Sequence, residues 1–175
     1  MAQHILVQLF DCPRRKECHE NAYKLFAYIV AAEVAIQAMV MVWAIAGLVK
    51  WVDGGGVFDK SIMESEATPF TEVFGIIVHA INGTFVIPAL ALVLLILSFF
   101  TKVRGAIKWA AIVFVLVVAQ GQIGYLGHEF PFAGALHGLN ALALFGAALY
   151  TGRRIRTAAS SVVEEQPGVQ AAAPV

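Results

Sequence analysis

His79-Ala80-Ile81-Asn82-Gly83 recurs as His137-Gly138-Leu139-Asn140-Ala141. In each echo an imidazole is followed at i+3 by an amide and at i+4 by a residue with little or no side chain. Those positions share one helix face. Both echoes stand a few residues inside long apolar runs, where a histidine is costly and by default functional. Two imidazoles at matched depth suit the axial positions of one b-type haem. Gly83 and Ala141 would let a flat macrocycle approach the backbone, and Asn82 and Asn140 would bond either the ligand or neighbouring helices. The plainer alternative is that both histidines are hydrogen-bonded between helices. Interhelical polar bonds in lipid contribute only about 0.6–2 kcal/mol, a weak reason to keep two buried imidazoles. A bare zinc or iron ion would want further ligands at that depth. Only Glu33, Gln37, Gln120 and Gln122 are at hand, a poor set for a metal.

The elements that must position these residues are membrane helices. The chain has 175 residues, 59% of them apolar and 14% charged. Its mean hydropathy is +0.76, which places it in the membrane class. Four stretches, 25–49, 72–100, 107–127 and 132–151, meet the roughly 20 apolar residues a spanning helix needs. The expected fold is all-α: one integral-membrane four-helix up-down bundle over 22–152. A cytoplasmic arm over 1–21 would precede it, and a disordered cytoplasmic tail over 153–175 would follow. From Thr157 onward that tail offers no packable face. The lipid bilayer is the expected partner. The formal net charge is zero, so no nucleic-acid partner is implied. Nothing resembles a phosphate-binding glycine loop.

Orientation follows from the basic residues. Arg14, Arg15, Lys16 and Lys24 precede the first run; Lys102, Arg104 and Lys108 lie between the second and third; Arg153, Arg154 and Arg156 follow the fourth. Only Lys50 and Lys60 lie in the other loops. The positive-inside rule puts both termini in the cytoplasm of a multi-pass cell-membrane protein. The basic cluster at 14–16 follows a short apolar stretch instead of preceding one, which is not the order of a signal peptide.

Local punctuation refines the helices. Gly54-Gly55-Gly56 ends the first. Thr68-Pro69 predicts the start of the second, with Thr as N-cap and Pro at the first position. Pro88 predicts a kink that frees the carbonyl of Thr84. Counting from Pro69 and Pro131 at ~1.5 Å per residue sets His79 and His137 roughly 15 and 9 Å into their helices. With tilt, the two can share one level near the outer face. Gln37 and Gln120 are consistent with a repeat that pairs the first two helices with the last two.

The remaining polar residues have blander readings. Glu33, deep in the first helix with no Lys or Arg to pair with, is either a hydrogen-bonded interhelical group or a proton or quinol site. His128, in the outer turn, reads as a solvated loop residue or a contact to a haem edge. Cys12 and Cys18-His19 lack the paired spacing of zinc modules. They are expected to be reduced thiols, as cytoplasmic cysteines usually are.

Taken with Gln120-Gly121-Gln122-Ile123-Gly124 and Leu136-His137, the His79–Gly83 motif resembles one half of haem A synthase. That family's halves are four-helix bundles with a histidine on helix 2 and another on helix 4. The single bundle is also similar to small, uncharacterised bacterial membrane proteins. The resemblance covers about residues 25–152 and implies that His79 and His137 are axial ligands of a b-type haem. This chain departs from the family in having one bundle where the family has two. It has no glutamate three residues before His79, and no cysteine pair in the outer loop. The expected cofactor-binding residues are therefore His79, His137, Asn82, Gly83, Asn140, Ala141 and Gln120, with the two histidines as metal ligands and no catalytic residue assigned. The expected role is electron transfer or haem handling beside a respiratory enzyme, with a quinone as a possible partner. The alternative is a non-haem accessory subunit of a membrane complex. Ten basic residues on one side against two on the other predict that a reporter fused after Arg156 reads cytoplasmic, and that a label near Gly55 is reachable from outside. A periplasmic signal at the C-terminal fusion would contradict the four-helix count.

Overall fold

The computed structural model describes the backbone of residues 15–65 and 67–164 and the side chains of 18–65 and 67–154. Every regular element among them is helical. In chain order they are α1 (Arg15–Asp53), α2 (Lys60–Glu64), a 3-10 turn (Thr71–Val73), α3 (Phe74–Ile81), a π-helical turn (Asn82–Val86), α4 (Ile87–Ser98), α5 (Ala106–Leu126) and α6 (Pro131–Glu164). Four stretches are long and apolar enough to cross a membrane, as in a multi-pass membrane protein: Cys18–Asp53, Thr71–Ser98, Ala106–Leu126 and Pro131–Arg154. We refer to them as spans 1 to 4. Span 1 packs against spans 2 and 4, and span 3 packs against the same two. Spans 2 and 4, which carry the two histidines, therefore face each other across the diagonal.

The closest packing lies at one end, where the start of span 1 and the end of span 2 meet the start of span 3 and the end of span 4. Ala27, Ala91, Ala110 and Ala148, one from each span, are completely buried, joined by Val30, Leu94, Val113 and Leu144. Small residues let membrane helices approach closely, which is the main source of association where lipid is as apolar as the side chains. Polar contacts close this end. The Tyr23 hydroxyl donates to the Ala106 carbonyl at 3.0 Å, and Arg154 Nη2 donates to the Arg104 carbonyl at 2.9 Å. The tight turn into α5 needs Gly105, whose φ of 78° lies in the left-handed region that a side chain disfavours.

The inward positions keep one rhythm. Span 1 steps through Tyr23, Ala27, Val30, Val34 and Gln37, and span 3 through Ala106, Ala110, Val113, Val117 and Gln120. These alternating steps of four and three are the seam of a coiled-coil-like bundle. Span 4 steps through Ala133, His137, Asn140, Leu144, Ala148 and Thr151. Span 2 matches it with Gly75, His79, Asn82, Ile87, Ala91 and Leu94, except that Asn82 to Ile87 takes five residues where Asn140 to Leu144 takes four. The π turn absorbs the extra residue, and the Ile87 N–H donates five residues back, to the Asn82 carbonyl. Proline lacks an N–H and crowds the carbonyl four residues before it. The wider turn relieves that crowding, so a π turn ahead of Pro88 stands where the sequence predicts a kink.

Other expectations are corrected. Span 2 begins at Thr71 with Phe70 as an extended N-cap, not at Thr68-Pro69. Phe70 lies against Trp51, ring centroids 5.7 Å apart, so the chain must clear the end of span 1 before it can turn into a helix. α1 begins at Arg15, inside the expected arm, and α6 continues helical to Glu164, through part of the expected tail. Extending an existing helix requires no new nucleus, and 157–164 contains no Gly or Pro to stop it. Residues 1–14 and 165–175, including the Ile5–Phe10 stretch, His4 and Cys12, lie outside the described residues. Cys18 is disulfide-bonded, against the expectation of a reduced thiol. That expectation rested on compartment alone, whereas a disulfide also depends on which sulfur lies within reach.

If the π turn serves only to keep span 2 in register, deleting Thr84 together with Pro88→Ala should give a continuous helix with span 4's spacing. Its melting temperature in detergent should stay close to wild type. Deleting Ala91 instead rotates every later inward residue by about 100°, and should abolish cooperative melting. Equal damage from both deletions would contradict the register argument.

Candidate functional site: a layer of paired imidazoles

Beyond the alanine-lined core the inward residues turn polar, and the two histidines meet. Their ring centroids are 6.0 Å apart with an interplanar angle of 56°. The starts of the two helices explain the shared level. Span 2 begins at Thr71 and span 4 at Pro131, so the two rings lie at more similar depths than counting from Pro69 implies.

Each imidazole is held by a glutamine of a neighbouring span through the same pair of bonds. Gln120 Nε2 donates to the His137 carbonyl at 3.1 Å, and His137 Nδ1 lies 3.1 Å from the Gln120 carbonyl. Gln37 Nε2 donates to the His79 carbonyl at 3.3 Å, and His79 Nδ1 lies 3.4 Å from the Gln37 carbonyl. A carbonyl oxygen can only accept, so its partner assigns the proton to Nδ1 in both rings. Nε2 is left with a free lone pair. This is the tautomer of a metal-binding histidine whose other nitrogen is anchored. A metal–imidazole bond is about 2.0–2.1 Å long. Adding the ring's own radius on each side, two imidazoles on opposite faces of one ion put their centroids roughly 6 Å apart. The observed spacing is of that size. A bare ion would still need more than two protein ligands, and the Gln120 side chain is spent on the His137 carbonyl and Asn140. The pair suits a metal that arrives with its equatorial positions already filled.

Glycines shape the layer. A Cβ on Gly124 would come within 3.1 Å of His137 Cε1 and Nδ1, so a larger residue there would crowd that ring against span 3. A Cβ on Gly75 would collide with the Val40 carbonyl, so spans 1 and 2 approach closely one turn beyond His79. Gly83 faces span 1, where a Cβ would lie 3.4 Å from Gln37 Nε2. That distance is ordinary van der Waals contact, so the Gln37 amide would accommodate a methyl group at this position.

The asparagines likewise turn onto neighbouring helices. Asn140 Nδ2 donates to Gln120 Oε1 at 2.6 Å and to the Leu116 carbonyl at 2.9 Å. Asn82 Nδ2 donates instead to Glu33 Oε2 at 2.8 Å. Gln120 orients the His137 ring and Asn140 holds Gln120, whereas Asn82 and Gly83 lie against Glu33 and Gln37; Ala141 is half-buried on span 4. His128 is exposed in the turn between spans 3 and 4. Spacing alone underrated three residues. Gln37 and Glu33 were visible as the polar residues of span 1, but their partners depend on tertiary contact. Gly124 lay in a quoted motif, with nothing to say which ring it admits. No family model, characterised protein or solved structure matches this chain.

The Gly124 contact yields a paired test. Gly124→Val should displace the His137 ring and cost about 1–3 kcal/mol through overpacking, seen as a lower melting temperature in detergent. Gly121→Val, whose Cβ meets nothing within 4 Å, should leave melting nearly unchanged. Equal effects would mean that the ring does not rest on span 3.

Proposed function

We propose that this chain holds one b-type haem between His79 and His137, and serves in electron transfer or haem handling beside a respiratory enzyme of the cell membrane. The observation that carries the reading is the pair of imidazoles 6.0 Å apart, each with its Nδ1 on a main-chain carbonyl. Haem iron held by two imidazoles exchanges single electrons. The chain's own residues do the rest. His79 and His137 present their Nε2 lone pairs. Gln37 and Gln120 fix both ring planes and tautomers. Asn140 locks Gln120, and Gly124 gives the His137 ring its seat. The alanine-lined core fills the far end of the bundle, so the two rings meet beyond it, where the inward residues are polar.

The resemblance to half of haem A synthase supports the same ligands. The missing second bundle, acid and cysteine pair take the reading no further than haem binding and electron exchange. In this proposal the spans run up and down with both termini cytoplasmic, because ten basic residues oppose two.

Full-length protein expressed with ample haem should show a sharp low-spin spectrum that changes on reduction. His79→Ala and His137→Ala should each abolish the low-spin signal, because one imidazole leaves iron five-coordinate at most. His128→Ala should keep it. A colourless, folded preparation that takes up no added haem would sink the reading in favour of a packing role for both histidines.

A further inference from the structure

The two halves of the polar layer follow one pattern and break it at one residue. Gln37 corresponds to Gln120, His79 to His137 and Asn82 to Asn140; four residues before the glutamine, span 3 has Leu116 where span 1 has Glu33. In the Leu116 half, the asparagine donates to the glutamine's Oε1, and every bond closes. In the Glu33 half, Asn82 is drawn to the carboxylate. Gln37 is only 7% exposed, and its Oε1 is left buried without a hydrogen-bond partner. An unmet buried acceptor costs about 1–3 kcal/mol, so it calls for a donor. The Glu33 half is also the looser one, with its Gln–His contacts at 3.3 and 3.4 Å against 3.1 and 3.1 Å.

The surroundings say what kind of donor. Glu33 and Asn82 lie at the seam of spans 1 and 2, between residues that point outward: Ile36 is 39% and Phe85 68% exposed. In a membrane helix that surface meets lipid, so the donor arrives from the bilayer. The π turn starts at Asn82, and such turns often mark functional sites. A Cβ on Gly83 would lie 3.4 Å from Gln37 Nε2, so the glycine backs directly onto this amide. Glu33 and Gln37 are one helical turn apart, about 5.4 Å, roughly the separation of the two oxygens of a para-hydroquinone.

We infer that the Glu33–Gln37–Asn82 seam binds a lipid-soluble hydroquinone, which supplies electrons to the haem. One hydroxyl donates to Gln37 Oε1 and the other to the Glu33 carboxylate. Oxidation removes two electrons and two protons from the hydroquinone and yields the quinone. The electrons would leave one at a time to the bound haem, and from it to a one-electron acceptor of the neighbouring respiratory enzyme. The protons leave one by one through Glu33. Gln37 joins donor and acceptor, since its amide and carbonyl also hold His79. The electron-transfer half of this inference rests on the haem reading; the binding half does not.

The test uses the full chain in nanodiscs with decylubiquinone and its hydroquinone. Infrared difference spectra with ¹³C-carbonyl-labelled decylubiquinone should show saturable binding to wild type. Glu33→Leu copies the residue the other half already tolerates, so it should fold and melt like wild type. It should bind roughly tenfold or more weakly, as loss of a charge-assisted bond implies. Glu33→Gln keeps a hydrogen-bonding group but not the proton acceptor. It should hold the quinone, while haem reduction by decylubiquinol slows about tenfold and dithionite still reduces all the haem. Absence of saturable binding, as when a water molecule merely satisfies Gln37, or equal binding by wild type and Glu33→Leu, overturns the site. Binding with wild-type reduction rates in both variants overturns the donor role. If the chain takes up no haem, the infrared measurement still decides the site, and only the electron-transfer half falls with the haem reading.

Discussion

In hydrocarbon, a polar group that finds no partner inside the protein finds none at all. The reciprocal clasp between glutamine and histidine answers that constraint on both sides of the bundle. One glutamine contributes its side-chain amide to the histidine's carbonyl and its own carbonyl to the histidine's Nδ1. Four polar groups in two helices are addressed by two contacts, and neither uses Nε2. Ring orientation, tautomer and spacing between spans all follow from that clasp. Its geometry also favours glycine at position 124, where a Cβ would crowd the His137 ring at 3.1 Å.

The clasps work only if four helices bring their inward residues to one level, and the two halves of each span contribute differently. The alanine-rich end supplies rigidity by close backbone approach, independent of any cofactor. The polar layer supplies directed hydrogen bonds, at the cost of packing that small apolar residues would do better. The π turn sits at the boundary between them. Without that wider turn, a span that takes five residues from Asn82 to Ile87 could serve one region or the other, but not both. A proline at position 88 would be expensive in a regular helix; next to the π turn it falls where the ladder is already displaced.

Much of this was legible in the sequence, because lipid imposes long apolar runs and makes every internal polar residue conspicuous. The four spans, the two histidines and their glutamines stood out on that ground. What could not be read was direction. Asn82 and Asn140 occupy matching positions, yet they bond differently because of Glu33, which lies some fifty residues away in sequence and one helix away in space. The start of span 2 shifted for a similar reason: Thr68-Pro69 is a sound local signal, but Phe70 against Trp51 overrides it. The register slip was hidden because apolar residues fill nearly every position from Phe85 to Leu97, so hydrophobic periodicity carried no phase to betray it.

A repeated bundle raises the question of why its halves should differ at all. Two identical clasps would hold a cofactor symmetrically, with no preferred side for electrons or protons to enter. Glu33 removes that equivalence with one substitution relative to Leu116. It diverts Asn82, leaves the Gln37 oxygen unmet and loosens the contacts around His79, while the His137 side keeps all its bonds. The energetic penalty falls on one half alone. That is the pattern expected when one half of a repeat stays structural and the other is open to a ligand, and it is the asymmetry on which the proposed hydroquinone site rests.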